Sequence, residues 1–235
     1  MLLAAYKTEL ALEYFLASTK YCENTDLQTM HEYLQHRLHR IREKATIIEL
    51  LKRVELHVFD KELTAMFNEK AELLEQLISR AFLAALPARH CILCYWLIDL
   101  PLHYATYINN NEYIIIISIT NNYKLVPCLA VHELLHLCLS LPWPLQALEA
   151  FLEWFAPYGK LCLRLGWTTP EMLEQRKQQL EELRTFKAYV LAPWFSAFAC
   201  LEHYEFEEPV WQFLQREAKS PRIKELLARI CASNH

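Results

Sequence analysis

The chain has 235 residues and a formal net charge of −4, and 54% of its residues are hydrophobic and 12% aromatic. A chain of this length can bury a substantial hydrophobic interior, so we expect a single domain spanning residues 1–235. The composition excludes a disordered tail, and the absence of a basic excess argues against nucleic acid as a partner.

Neither secretion nor membrane insertion is indicated. Lys7 and Glu9 interrupt the apolar N-terminus before a signal-peptide core could form, and no uninterrupted apolar run reaches the ~18 residues of a spanning helix. The eight cysteines are scattered through apolar segments, and Cys91 and Cys94 form a C-x-x-C without a second pair, which favours buried thiols over a metal or redox centre. We therefore expect a cytoplasmic protein, or a bacterial effector that reaches a host cytosol by a signal-peptide-independent route.

Residues 1–88 form the first predicted part, which is helical. Apolar residues recur there at spacings of three and four, as in Leu50, Leu51, Val54 and Val58. The chain contains only two glycines, which favours long helices. We predict three or so amphipathic helices up to about residue 85.

Residues 89–160 form the second predicted part, which begins with strands. The apolar runs 91–98 and 113–120 are predicted strands, and a third strand is predicted around Tyr104. These segments predict a small sheet ahead of the next helix.

Residues 161–235 form the third predicted part, which is helical to its end. Thr169-Pro170 and Ser220-Pro221 each place a capping hydroxyl before a proline at the first helical position. The last helix is predicted over about residues 222–231. The fold is therefore predicted to be α+β and mainly helical, with a small mixed sheet and helices at both ends.

The stretch His132-Glu133-Leu134-Leu135-His136 has the chemistry of a metal site. A turn at Asn121-Asn122 and Pro127 in the first helical turn predict that this stretch lies on a helix. Two histidines four apart on a helix project from one face, so both imidazoles can reach one zinc ion. Glu133 lies beside that face and can accept a proton from water on the metal. The alternative is a pair of histidines with satisfied hydrogen bonds on a buried helix.

A helical hairpin is predicted directly after this stretch. Two prolines within residues 141–145 end the first helix, and residues 146–154 have the apolar spacing of a helix packed back against it. The two helices are therefore predicted to lie side by side.

Two glutamates on the returning helix are predicted to face the histidines. At about 1.5 Å rise per residue, Glu149 stands abreast of His136, and Glu153 abreast of His132. We predict Glu149 as the third zinc ligand and Glu153 as the acceptor of a hydrogen bond from His132. The reverse assignment and a solvated helix edge are the alternatives.

The order of these segments resembles the catalytic core of the gluzincin metallopeptidases. Those enzymes place an edge strand before a His-Glu-x-x-His helix and take a glutamate from the next helix as third ligand. The stretch from Glu149 resembles their Glu-Gly-x-Ala-Glu-Tyr signature, with Ala150 in place of glycine and Trp154 in place of tyrosine. The related pattern with a third histidine is excluded, because Leu139 and Pro142 occupy its glycine and histidine positions.

The resemblance, which covers about residues 112–156, implies a zincin-like core and a zinc-dependent endopeptidase. One zinc ion per chain would be held by His132, His136 and Glu149, with Glu133 as general base toward water and a polypeptide as substrate. The strand 113–120 would lie beside the cleft and pair with an extended substrate, or else be an ordinary buried strand.

A group that stabilises the oxyanion is also implied by the resemblance. His203 and Tyr204 are the first candidates, and packing or an ordinary hydrogen bond is the alternative role for both. Four further candidates are Tyr158, Tyr189, His103 and Tyr104.

Two other functions are consistent with the sequence. One is a non-catalytic helical interaction protein of zincin shape, for which Glu133→Gln would leave function unchanged. The other is a zinc hydrolase of a non-peptide amide, which would bind metal without cleaving peptides.

Overall fold

The computed structural model describes residues 2–6, 8–21, 25–83, 90–96, 103–110, 112–118, 126–139, 141–156, 159–175, 178 and 193–233. The chain forms two compact units. Unit 1 comprises Met1–Ala71 and Ala88–Leu134, and unit 2 comprises Glu72–Pro87 and Leu135–His235.

Two helices account for most of the N-terminal residues. Helix α1 covers Thr8–Thr19, and helix α2 covers Thr25–Phe82 with a kink at Lys52, where φ is −116° and ψ is 15°. Neither proline nor glycine occurs from residue 1 to residue 86, so nothing in the sequence forces a helix to end within α2. The predicted helices are confirmed, and the kink divides α2 into two of the predicted segments.

A four-stranded sheet forms the other part of unit 1. Strands β1 (Leu2–Tyr6), β2 (His90–Trp96), β3 (His103–Asn109) and β4 (Glu112–Ser118) lie in the order β1-β2-β4-β3. The pairs β1–β2 and β2–β4 are parallel, and β3–β4 is antiparallel. The three predicted strands and the mixed sheet are confirmed, whereas the prediction of helix for the first residues is wrong, because Leu2–Tyr6 pairs with β2.

Strand β4 lies in the interior of the sheet. It pairs with β2 through Cys91↔Tyr113 and with β3 through His103↔Ile117, so both of its edges are hydrogen-bonded. Its residues from Tyr113 to Ile117 are buried. The prediction that this strand offers an edge to an extended substrate is therefore wrong, and the alternative of a buried strand is confirmed.

Helix α1 packs on this sheet through alternating residues of β4. The buried core of unit 1 includes the following residues: Ala11, Leu12, Phe15, Leu34, Ile41, Ile114 and Ile116. The Tyr104 ring meets the Phe15 ring edge to face at 5.2 Å. Each large aliphatic side chain buried in such a core stabilises the fold by about 1.5–3 kcal/mol relative to its exposure.

Helix α3 covers Val126–Cys138, and the described elements of unit 2 that follow are mostly helical. They are α4 (Leu145–Phe155), α5 (Lys160–Arg164), a 3₁₀ helix (Ala199–His203), α6 (Val210–Glu217) and α7 (Pro221–Ser233). A short helix over residues 170–175 is capped by Thr169, whose Oγ1 accepts a hydrogen bond from the Met172 N–H at 3.2 Å. Both predicted proline-led starts, at Pro170 and Pro221, are confirmed.

An aromatic cluster forms the core of unit 2. Its rings pack in stacked, tilted or edge-to-face arrangements, and its members are Phe82, Trp143, Phe151, Phe155, Phe198, Tyr204, Phe206 and Trp211. The Trp143 indole N–H also donates to the Leu226 carbonyl oxygen at 3.1 Å. Trp143 therefore anchors the turn from which α4 begins.

The predicted absence of a spanning helix agrees with the structure. Among the described residues, no helix is both long and apolar enough to cross a membrane. Five cysteines in the described part of the chain are thiols: Cys91, Cys128, Cys138, Cys162 and Cys200. Burial raises the pKa of Cys138 to about 12 and also raises that of Cys200, so both stay protonated at neutral pH.

Candidate metal centre

Helix α3 carries the motif and is buried along most of its length. Pro127 lies in its first turn as predicted, where the missing N–H breaks no helical hydrogen bond. The buried apolar residues of α3 are Val126, Cys128, Ala130, Val131, Leu134 and Leu135. Dense packing on this scale restricts the directions of the intervening polar side chains. The predicted turn at Asn121-Asn122 lies outside the described residues.

Three polar side chains of α3 converge. One ligand atom from each of His132, Glu133 and His136 lies within 4.8 Å of the other two. His132 and Glu133 are buried, with 5% and 7% of their surfaces exposed, whereas His136 is partly exposed. Two imidazole nitrogens and a carboxylate oxygen are donors that zinc accepts, so this group could hold a metal ion.

Glu149 on α4 lies close to His136. Its Oε1 lies 3.3 Å from His136 Nε2, with side-chain exposures of 31% and 23%. Two donors bound to one tetrahedral zinc ion, each about 2.0–2.2 Å from it, are themselves about 3.3–3.6 Å apart. The observed distance therefore fits shared coordination as well as an ion pair. The predicted juxtaposition of Glu149 and His136 is confirmed, and the ligand role of Glu149 stays a prediction.

The carboxylate that completes the converging group is Glu133 rather than Glu149. Glu149 approaches His136 but does not belong to the set of three whose ligand atoms all lie within 4.8 Å of one another. Glu133 is thus close enough to both histidines to act on a water molecule between them. A dication at this position would also offset the cost of burying the Glu133 carboxylate.

Helix α4 is held firmly on its apolar side. Ala147, Ala150, Phe151, Leu152, Trp154 and Phe155 are buried residues of this helix. The Trp154 indole N–H donates to the Phe195 carbonyl oxygen at 2.6 Å. Glu153 is half-buried on the same helix. The residues beside Glu149 and Glu153 are therefore packed, and Glu149 does not lie on a fully solvated helix edge.

Tyr204 is committed to packing in unit 2. It is buried in the aromatic cluster, and its hydroxyl donates to the Glu208 carbonyl oxygen at 2.6 Å. Burial, followed by the Glu208 carboxylate, raises the pKa of Tyr204, so the hydroxyl remains a donor at neutral pH. These contacts favour the packing role over stabilisation of an oxyanion. His203, its neighbour in the 3₁₀ helix, is exposed.

Replacing Tyr204 by phenylalanine separates the two roles. Loss of the hydrogen bond to Glu208 is expected to lower the free energy of unfolding by about 1 kcal/mol, which corresponds to a Tm lower by about 2–4 °C. If the site on α3 hydrolyses peptides, the rate of hydrolysis should stay at the wild-type level. Thermal unfolding and an activity assay check this, with Tyr21→Phe at an exposed position as control. A 100-fold fall in turnover at unchanged Tm would instead support the oxyanion role.

The remaining candidates for the oxyanion role are of two kinds. His103 and Tyr104 lie in β3, and Tyr104 packs against the core of unit 1. Tyr158 and Tyr189 lie outside the described residues. Trp143 has an anchoring role that was not predicted from the sequence, although its place between the two prolines of the turn is a signal for that role.

Comparison with protein families, with curated proteins and with solved structures finds no match to this chain. Helices α3 and α4 and the side chains that they bring together therefore carry the functional information in this structure.

Proposed function

We propose that this protein is a zinc-dependent endopeptidase with a zincin-like core. The observation that carries the proposal is the convergence of His132, Glu133 and His136 on one buried helix. The 3.3 Å distance between Glu149 and His136 supports a four-coordinate site in which the protein supplies three ligands. The fourth position would stay open for water, as a hydrolytic zinc site requires.

The chain's own residues divide the work of peptide hydrolysis. His132 and His136 would hold the metal through imidazole nitrogens, and Glu149 would add a carboxylate donor that favours a dication. A bound zinc ion supplies Lewis acidity, which lowers the pKa of water and polarises a carbonyl group. Glu133 accepts the proton from the attacking water and then donates it to the leaving amine.

Burial of Glu133 suits it to this role. Glu133 is 7% exposed, so few bulk water molecules reach its carboxylate and compete with a water molecule held at the metal. Because it neighbours His132 in sequence, its position relative to the metal is set by the same helix turn.

The test is a search for new peptide termini. Zinc-loaded protein is incubated with a mixture of denatured proteins, and mass spectrometry identifies the cleavage products. New termini that disappear with a chelator and with Glu133→Gln support the proposal. Full zinc binding without any new terminus would favour the non-peptide amide, and absence of zinc binding would favour the interaction protein.

Two alanine variants distinguish the roles of the glutamates on α4. Glu149→Ala is expected to weaken zinc binding more than about 100-fold, and Glu153→Ala only about 10-fold, because loss of a ligand costs more than loss of a group that orients one. Titration against a competing chelator measures both, with Glu207→Ala at an exposed position as control. The opposite order would exchange the two assignments.

A further inference from the structure

Helix α2 carries apolar side chains on two opposite faces. One face is buried in unit 1 and includes Ile41, Ala45, Leu56, Leu63 and Phe67. The other face, called here the α2 stripe, consists of Ile47, Leu50, Leu51, Val54 and Val58. At about 100° per residue, the stripe lies roughly opposite the buried face. A helix with two apolar faces requires a partner for each of them.

The α2 stripe is strongly exposed. The exposed fractions are 55% for Ile47, 73% for Leu50, 79% for Leu51, 78% for Val54 and 48% for Val58. Together these residues expose on the order of 600 Å², the upper end of what a monomer usually presents as one apolar patch. Residues on both sides of the kink at Lys52 contribute, so the stripe continues across it.

We propose that the α2 stripe binds the α2 stripe of a second copy of this chain, with the two helices antiparallel. Apart from Leu50, successive stripe residues are four, three and four positions apart, the spacing of a helix–helix seam. In an antiparallel pair centred between Leu51 and Val54, Ile47 of one copy faces Val58 of the other. Leu51 likewise faces Val54, and the kink at Lys52 lies at the centre of symmetry.

Charges at the two ends of the stripe complement each other in this arrangement. Glu43 and Lys61 lie on one side of the stripe, and Lys44 and Glu62 on the other, each about nine residues from the centre. All four side chains are exposed. In an antiparallel two-fold pair, each side of the stripe faces the equivalent side of the stripe in the other copy. Glu43 of one copy therefore lies opposite Lys61 of the other, and Lys44 lies opposite Glu62.

The size of the stripe also fits a second copy. Two stripes would bury on the order of 1,200 Å², which reaches the range of specific protein–protein interfaces. A parallel two-fold pair would set Glu43 opposite Lys44 and Lys61 opposite Glu62, so opposite charges meet in both orders. A single partner helix of another protein would gain nothing from the symmetric order of charges. The self-complementary order therefore favours a homodimer, and the charge-reversal variants distinguish its antiparallel form from the parallel one.

Oligomeric state in solution tests the seam. Analytical ultracentrifugation of the full chain is expected to show a dimer that dissociates on dilution. Leu51→Glu should weaken it at least about 100-fold, because each copy then buries a carboxylate in the seam. Arg53→Glu, at an exposed position outside the stripe, is the matched control. Since Leu51 is exposed, circular dichroism should show an unchanged fold. A wild-type monomer at the highest soluble concentration, or a dimer that Leu51→Glu leaves intact, would overturn the proposal.

Charge reversal tests the antiparallel order. Lys61→Glu alone should weaken the dimer by about 3- to 10-fold, since it sets two pairs of carboxylates opposite each other. The double variant Glu43→Lys, Lys61→Glu should restore wild-type affinity. Failure of the double variant to recover, with Leu51→Glu still disruptive, would overturn the antiparallel order.

Discussion

Replacing His132 or His136 by alanine is expected to reduce zinc from about one ion per chain to background. Each histidine supplies one of the four positions of the shell, and its methyl replacement supplies none. The stabilisation of the fold by zinc should be lost together with the zinc. Zinc at about 100 times its dissociation constant should add about 2.7 kcal/mol to the free energy of unfolding of the wild type, and nothing to either variant. Elemental analysis and thermal unfolding with and without zinc measure both effects.

His39→Ala is the matched control for these variants. His39 is an exposed histidine on α2, where it pairs with Glu43 at 3.3 Å, so its loss changes the histidine count without touching α3. Zinc content and zinc-dependent stability should both remain at the wild-type level. Full zinc content in a His132→Ala, His136→Ala double variant would refute the site on α3.

The geometry around α3 and α4 could be predicted because it follows from local spacing. Positions 132 and 136 share a helix face whatever the rest of the chain does, and a turn of fixed length places Glu149 abreast of His136. The measured 3.3 Å between them agrees with that arithmetic. The helix starts at Pro127 and Pro221 are local in the same sense, because proline fits the first turn of a helix and no later one.

The sheet could be predicted only in part, because its order depends on contacts distant in sequence. Leu2–Tyr6 is a short apolar stretch whose conformation is decided by pairing with β2, about 90 residues away. The position of β4 between two neighbours is likewise absent from its own sequence, since a buried run of isoleucines suits both central and edge strands. The local pattern therefore identified the strands but not which strands pair with each other in the sheet.

The roles of single polar side chains were the least predictable. Tyr204 has a sequence context that suits catalysis and packing equally, and only the position of the Glu208 carbonyl and the surrounding rings favours packing. Whether Glu133 or Glu149 lies closest to both histidines also depends on side-chain torsions, which residue spacing does not specify. Substitutions at Glu133 and Glu149 address this directly.

Glu133→Gln is expected to abolish most hydrolysis while zinc content stays at about one ion per chain. Glutamine keeps the size and polarity of the side chain but does not accept the proton, so kcat should fall by about 10²- to 10⁴-fold. Elemental analysis and the rate of peptide cleavage, measured on the same preparation, report the two quantities independently. Glu207→Gln, at an exposed position in unit 2, is the control.

Zinc content and cleavage rate, measured together, distinguish the two roles that the geometry allows for Glu133, metal ligand and general base. Its carboxylate lies within 4.8 Å of ligand atoms of both histidines, close enough to bind the metal as well as to take a proton. Loss of zinc in Glu133→Gln would make it a ligand and leave Glu149 to another task. Retained zinc with unchanged cleavage would exclude it as the base. Retained zinc with lost cleavage is the result expected of Glu133 as the base, because a residue that moves the proton changes the rate without holding the metal.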